Sequence, residues 1–137
     1  MSDAGKGLVD ANWILRYLLR DDEALFLRAS ALLEKVKTGD EKVIIPESVL
    51  AECTYILIKI YKVDRSAIAD KLGDLFDYKG VVNGDKKDLV DAVLLFGKTN
   101  LGIVDCILCA KSKNHGLSLF TFDKRLQKIC KANKDVV

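Results

Sequence analysis

The chain has 137 residues, of which 50% are hydrophobic and 31% are charged, and its formal net charge is +2. A chain of this length is expected to form one domain that buries about 68–70% of its unfolded surface, so its core needs no stabilising disulfide or metal. The composition excludes a disordered chain, and the small net charge gives no general indication of nucleic-acid binding. No apolar run approaches the roughly 18 residues of a membrane span, and no signal-peptide core is present. We therefore expect a cytoplasmic protein.

Short apolar strands alternate with helical patterns along the chain. We predict strands at 8–9, 42–45, 80–83 and 117–121, with a further edge strand at 136–137. We predict helices at about 12–20, 23–38, 47–61, 65–77, 85–96 and 103–114, and one that begins at Asp123. Residues 1–6 are expected to form a flexible leader and residues 7–137 a single domain. The alternation predicts an α/β fold, a three-layer sandwich with a central short parallel sheet of about four to five strands flanked by about seven helices.

The chain has four cysteines, and two of them, Cys106 and Cys109, form a C-x-x-C pair. This pair lies inside an apolar helical pattern, whereas a redox-active pair normally opens a helix after a strand. The only histidine is His115, so the spacing of a four-ligand zinc site is absent. We therefore expect Cys53, Cys106, Cys109 and Cys130 to be buried free thiols, as in a reducing cytosol.

Basic residues are concentrated towards the end of the chain. From position 111 onwards the only acids are Asp123 and Asp135, and the lysines and arginine are Lys111, Lys113, Lys124, Arg125, Lys128, Lys131 and Lys134. A patch of this kind can hold phosphate groups. Lysines on a solvated helix face are the simpler interpretation, and the sequence alone favours it.

Two aspartates follow predicted strands and precede predicted helices. Asp10 comes after Leu8-Val9, and Asp123 comes after the strand at 117–121. Ligands of open α/β sheets bind at the carboxyl ends of the strands, so both carboxylates are expected at one edge of the sheet. An aspartate in this position can also cap the helix that follows, which stabilises it by about 1 kcal/mol. Each aspartate taken alone could therefore be only a helix cap.

Glu52 and Asp105 lie within predicted helices. The residues three and four positions from Glu52 are largely apolar, so solvent exposure explains this glutamate poorly, and a partner or a metal explains it better. Asp105 is in the first turn of its helix, where the helix dipole also favours a negative charge. Clustered carboxylates suit Mg²⁺ or Mn²⁺, which bind oxygen ligands and keep several waters. We therefore predict a divalent-metal site formed by Asp10, Glu52, Asp105 and Asp123.

Four segments, in this order, resemble a PIN domain. They are Leu8 through Leu19 with its Val9-Asp10-Ala11-Asn12, Pro46 through Glu52, Val104 through Ala110, and Phe120-Thr121-Phe122-Asp123. The similarity covers nearly the whole chain and is of the small prokaryotic VapC-like toxin type. It implies that Asp10, Glu52, Asp105 and Asp123 are the catalytic and metal-binding quartet, with Asn12 and Thr121 as supporting residues.

The resemblance further implies a ribonuclease that depends on Mg²⁺ or Mn²⁺, acts on RNA, forms a homodimer and is held inactive by a small antitoxin protein. Two alternatives stay open within the family, a stand-alone RNA-processing nuclease and a non-catalytic module that binds RNA or protein. A phosphohydrolase with an aspartyl nucleophile is another, but its chemistry requires a second aspartate where this chain has Asn12. His115 precedes a glycine at a predicted helix end, so we expect a surface or capping role for it and not that of a general base.

Overall fold

The computed structural model describes residues 5–130. Within that range it contains two short strands and seven helices, which confirms the predicted number of helices. In chain order the elements are β1 (Lys6–Leu8), α1 (Ala11–Leu19), α2 (Glu23–Thr38), β2 (Lys42–Ile44), α3 (Glu47–Lys59), α4 (Arg65–Phe76), α5 (Lys86–Lys98), α6 (Ile103–His115) and α7 (Lys124–Ile129). Lys6, which we expected in the leader, belongs to β1, whereas residues 1–4 and the edge strand expected at 136–137 lie outside the described residues. None of the helices in the described range is long and apolar enough to cross a membrane.

The two strands pair in parallel, with Gly7 opposite Val43 and Leu8 opposite Ile44. Val81 extends this pairing through a single parallel bridge to Val43. The prediction of a parallel sheet is therefore confirmed. The predicted count of about four to five strands is wrong for residues 5–130, in which only β1 and β2 form strands.

The side chain of Asn83 explains why the third predicted strand ends early. Backbone pairing between this segment and β2 runs from Val43 N–H to Gly80 O at 2.7 Å and from Val82 N–H to Val43 O at 3.0 Å. Beyond that point, Asn83 Oδ1 accepts from Ile45 N–H at 2.9 Å and Asn83 Nδ2 donates to Ile45 O at 2.7 Å. A side chain thus satisfies both polar backbone groups of Ile45, so no further backbone pairing is needed there.

The segment at 117–121 contains an isolated bridge at Leu119 and no strand. Its backbone groups bond to the helices on either side. Leu117 N–H donates to Ser112 O at 3.0 Å, and the Ser112 hydroxyl donates to Leu117 O. At the other end, Gln127 Nε2 of α7 donates to Thr121 O at 2.7 Å. Within the described residues, the segment is therefore held by contacts with α6 and α7 and by the single bridge at Leu119, and it does not form the predicted fourth strand.

Helix α3 lies centrally among the helices. It contacts α1, α4 and α6, and it buries Leu50, Cys53 and Leu57. Cys53 Sγ lies 3.9 Å from the carbonyl oxygen of Ala11, the first residue of α1. Because residues three or four positions apart share one helix face, this buried stripe leaves adjacent positions of α3 at the surface.

A disulfide joins Cys109 of α6 to Cys130 at the end of α7, with the two Cα atoms 5.9 Å apart. Cys53 and Cys106 are free and buried. The expectation of free thiols is therefore wrong for Cys109 and Cys130. The cysteines as a set no longer support the expected reducing compartment. The pairing depends on how α7 packs against α6, and a separation of 21 positions in the sequence carries no local sign of that packing.

We expect the substitution Asn83→Ala to lower the free energy of unfolding by roughly 2–5 kcal/mol, because it leaves the N–H and C=O of Ile45 without partners. Asn83 is only 8% exposed, so water cannot readily replace its amide. Urea unfolding followed by circular dichroism measures the change. Asn100→Ala, at an exposed position, is the matched control and should change the free energy by less than about 0.5 kcal/mol. Equal stability of the two variants would contradict the structural role assigned to Asn83.

Candidate active site

Asp10 lies where the chain passes from the sheet to α1. Val9 N–H still donates to Ile44 O at 3.3 Å, so the chain remains next to β2 up to this point. Asp10 then takes the extended N-cap conformation, and its Oδ1 accepts from Trp13 N–H at 3.1 Å. The capping bond uses one carboxylate oxygen, and the side chain is exposed to solvent. Asp10 is therefore a helix cap that can also bind a ligand.

Glu52 is exposed on α3. Among its same-face neighbours, Ser48 and Tyr55 are exposed and Val49 and Ile56 are half-buried. The inference from sequence that this face lacks contact with solvent is therefore wrong. Glu52 and its neighbour Tyr55 line a cavity beside α3.

The charges of Asp10 and Glu52 act on the same buried thiol. Burial is the main cause that raises the pKa of Cys53 to about 12, and the negative charges of Glu52 and then Asp10 add to it. The contact between Cys53 and the carbonyl of Ala11 brings α3 against the residue that follows Asp10. Asp10 and Glu52 therefore lie on either side of one packing contact between α1 and α3.

Glu52 and Asp105 line one cavity of about 610 Å³ between α3 and the first turn of α6. Asp105 is half-buried, and Gly102 occupies the N-cap position of its helix. Lys59 and Arg65 belong to the same lining. Glu52 is thus next in sequence to Cys53, which contacts the residue after Asp10, and it lines the same cavity as Asp105.

Asp123 is placed by the bonds of a helix cap. Its Oδ1 accepts from Arg125 N–H at 2.9 Å and from Leu126 N–H at 3.0 Å, which starts α7. Thr121 Oγ1 accepts from Asp123 N–H at 3.1 Å and so fixes the turn before the cap. These contacts give Asp123 a structural role as a helix cap. Among the described residues, no comparable relation joins Asp123 to Cys53, whose pKa Glu52 and Asp10 raise, or to the cavity, which Glu52 and Asp105 line.

The donor set suits a hard divalent cation. Within residues 5–130, no three Asp, Glu, His or Cys side chains lie close enough together to form a ready-made metal site. Mg²⁺ does not require such a group, because proteins commonly hold it by one or two carboxylates with waters and substrate phosphates completing the octahedron. Exposed Asp10 and Glu52 and half-buried Asp105 provide carboxylate oxygens of this kind.

Two polar groups that could have joined the site belong to other contacts. His115 Nε2 lies 2.8 Å from Asp88 Oδ2. Burial raises the pKa of Asp88, but hydrogen bonds from Asn114 and His115 outweigh it and hold that pKa below its usual value. Lys111 of the basic segment pairs with Glu47 at 2.8 Å. His115 is therefore an exposed partner of Asp88 near the end of α6, which agrees with the surface role expected for it.

The cavity beside Glu52 is the feature that sequence reasoning missed. Its lining combines residues of α3 with buried Phe96 of α5 and buried Ile103 of α6, which are far from α3 in the chain. Arg65 Nε donates to Phe96 O at 3.0 Å, its Nη2 donates to Leu101 O, and its guanidinium stacks 3.8 Å from the centre of the Phe96 ring. Arg65 therefore holds the cavity wall in place. No local sequence pattern indicates these contacts, because they join α4 to residues near the end of α5 and beyond it.

Residues 7–132 match the model of the PIN domain family. The chain belongs to the PIN domain family. The resemblance drawn from the sequence is thus confirmed, and the four predicted acids of this PIN domain all lie within the matched range. A VapC ribonuclease of Aquifex aeolicus (strain VF5) is 25% identical over 124 residues, which cover 89% of this chain and 90% of that protein. No solved structure matches the chain significantly.

Proposed function

We propose that this PIN domain is an Mg²⁺- or Mn²⁺-dependent endoribonuclease that hydrolyses phosphodiester bonds of RNA. The observation that carries the proposal is the placement of Glu52, which lines one cavity with Asp105 and adjoins Cys53, the residue that packs against the start of α1 beside Asp10. The relative from Aquifex aeolicus is a VapC ribonuclease, which favours RNA as the substrate class. Membership of the PIN family favours this chemistry over that of a phosphohydrolase with an aspartyl nucleophile.

Asp10 and Asp105 are assigned as the principal metal ligands, and Glu52 and Asp123 as ligands that bind directly or through water. Asn12, exposed in the first turn of α1 after Asp10, is assigned to orient carboxylates or waters. Thr121 is assigned to position Asp123, because its hydroxyl accepts from the Asp123 amide. The capping bonds of Asp123 make it the acid whose assignment depends most on the resemblance.

When bound, Mg²⁺ or Mn²⁺ would supply a hydroxide nucleophile at neutral pH and positive charge to offset that of the phosphate. The carboxylates of Asp10, Glu52 and Asp105 repel an RNA phosphate when no cation is present, so placement of the phosphate at these acids, and its cleavage, depend on the cation. Exposed Lys59 lies on the same cavity and can contact the RNA backbone without reading sequence. Exposed Lys124 and Arg125, which follow Asp123, are suited to the same role.

Asp10→Asn and Asp105→Asn should each lower the rate of RNA cleavage in Mg²⁺ or Mn²⁺ by at least about 100-fold. Loss of the partners that orient metal ligands already costs roughly 10- to 100-fold, and a ligand itself should cost more. The measurement is cleavage of a fluorescent RNA at saturating metal. Asn caps helices as well as Asp does, so Asp10→Asn should keep its stability, whereas Asp10→Ala should lose about 1 kcal/mol.

Asp70→Asn, at an exposed position of α4, is the control for loss of one negative charge and should cleave RNA at the parent rate. If Asp10→Asn cleaves as fast as the parent while Asp10→Ala is merely less stable, Asp10 is only a helix cap. That result would remove the assignment of this residue to the metal site.

We further propose that the nuclease is the toxin of a toxin–antitoxin pair and acts as a homodimer with a small antitoxin protein as its inhibitor. The similarity to a VapC ribonuclease supports this finer assignment. Induced expression in a bacterial host should then arrest growth, and the Asp105→Asn variant expressed at equal level should not. Normal growth with an enzyme that cleaves RNA in vitro would instead indicate a stand-alone RNA-processing nuclease. Absence of cleavage with retained RNA binding would indicate a non-catalytic module.

A further inference from the structure

The cavity that Glu52 and Asp105 border is mostly apolar, although those two acids lie on it. Phe96, Ile103 and Thr54 line it and are buried. At its edge, Tyr55 of α3 is 63% exposed and Val104 of α6 is 59% exposed. A volume of about 610 Å³ places it among sites that accept organic molecules, which occupy roughly 300–1,000 Å³.

An exposed tyrosine and valine facing one apolar cavity are unfavourable in water, so the arrangement is explained by an occupant that is flat and apolar on its faces. A free phosphate is a poor occupant, because Glu52 and Asp105 repel it. Of the two cations that line the cavity, Arg65 is already committed to the carbonyl oxygens of Phe96 and Leu101. Lys59 is exposed, so it can contact a backbone phosphate outside the apolar part of the cavity. An uncharged aromatic ring fits this chemistry.

We propose that the cavity receives one unpaired nucleobase of the RNA substrate, next to the phosphodiester held at the acids, and that Tyr55 is the side chain on which the base stacks. The inference rests on the proposed nuclease function, because it places the base relative to the scissile phosphate. RNA sequences are commonly recognised through unstacked bases that lie on aromatic side chains. Tyr55 lies one residue beyond Thr54 and three beyond Glu52, so the base site and the acid site share one helix of the fold.

The experiment measures the affinity of a single-stranded RNA in the Asp10→Asn background, in which the RNA stays intact. Tyr55→Ala should weaken binding by roughly 5- to 150-fold, the usual effect of removing one base-stacking side chain. Tyr55→Phe keeps the ring and should bind within about twofold of the parent. Leu94→Ala removes another exposed apolar side chain, 50% exposed on α5 and outside this cavity, and should leave the affinity unchanged.

A second series uses the same RNA with a single abasic nucleotide placed at each position in turn. At one position, the abasic nucleotide should weaken binding to the Asp10→Asn protein by the same factor as the Tyr55→Ala substitution does. The affinity for that abasic RNA should not fall further when Tyr55→Ala is added. If Tyr55→Ala binds intact RNA as tightly as Leu94→Ala, the base site is overturned, and a segment of a partner protein becomes the occupant to test. An equal abasic penalty in both proteins also overturns it.

The two proposals fail in different ways. Metal-dependent cleavage that is lost in Asp10→Asn but unaffected by Tyr55→Ala leaves the nuclease standing and removes the base site. Tyr55-dependent binding without any cleavage by the parent protein leaves the base site standing as an RNA-binding feature and removes the nuclease. The melting temperature of each Tyr55 variant, expected to match the parent because the side chain is largely exposed, separates lost stacking from lost folding.

Discussion

The packing of Cys53 against the start of α1 is the contact on which the candidate site depends. A buried thiol 3.9 Å from the Ala11 carbonyl fixes α3 against the residue after Asp10. Because Glu52 precedes Cys53, the same contact sets where its carboxylate emerges from α3. Helix α3 also contacts α6, which carries Asp105, so one central helix relates all three acids. The high pKa of Cys53, due first to burial and then to Glu52 and Asp10, is the electrostatic consequence of this arrangement.

The site combines strong local order with solvent-accessible carboxylates. Asp10 contributes a cap to α1 with one oxygen, which holds its side chain in place before any ligand arrives. Glu52 is exposed, so water solvates its charge and the fold does not have to compensate for it. Arg65, stacked on Phe96 and bonded to two carbonyl groups, supports the cavity wall next to these acids. A Mg²⁺ site that is completed by waters and substrate phosphates needs accessible carboxylates on a rigid support, and this arrangement provides both.

Helices and their caps were predictable from sequence because their signals are local. The cap at Asp10 and the glycine that ends α6 at a φ of 62° both follow from rules of helix termini. The number of strands was not predictable, because the Asn83 side chain replaces backbone pairing at Ile45, 38 positions away. The disulfide between Cys109 and Cys130 and the cavity between α3 and α6 likewise depend on how separate helices pack. The ordered motifs were sufficient to indicate the family, and the family match over residues 7–132 includes all four of them.

The central proposal is that Asp10, Glu52 and Asp105 belong to one divalent-metal site. Substoichiometric Mn²⁺ added to ¹⁵N-labelled protein tests it directly, because the ion broadens the amide signals of residues close to it. The account predicts that the signals of Ala11, Cys53 and Cys106, each adjacent to one of the three acids, broaden together at the lowest Mn²⁺ concentration. The signal of Lys71, next to exposed Asp70 on α4, should stay sharp. Broadening confined to one of the three positions, or equal broadening at Lys71, would contradict a shared metal site.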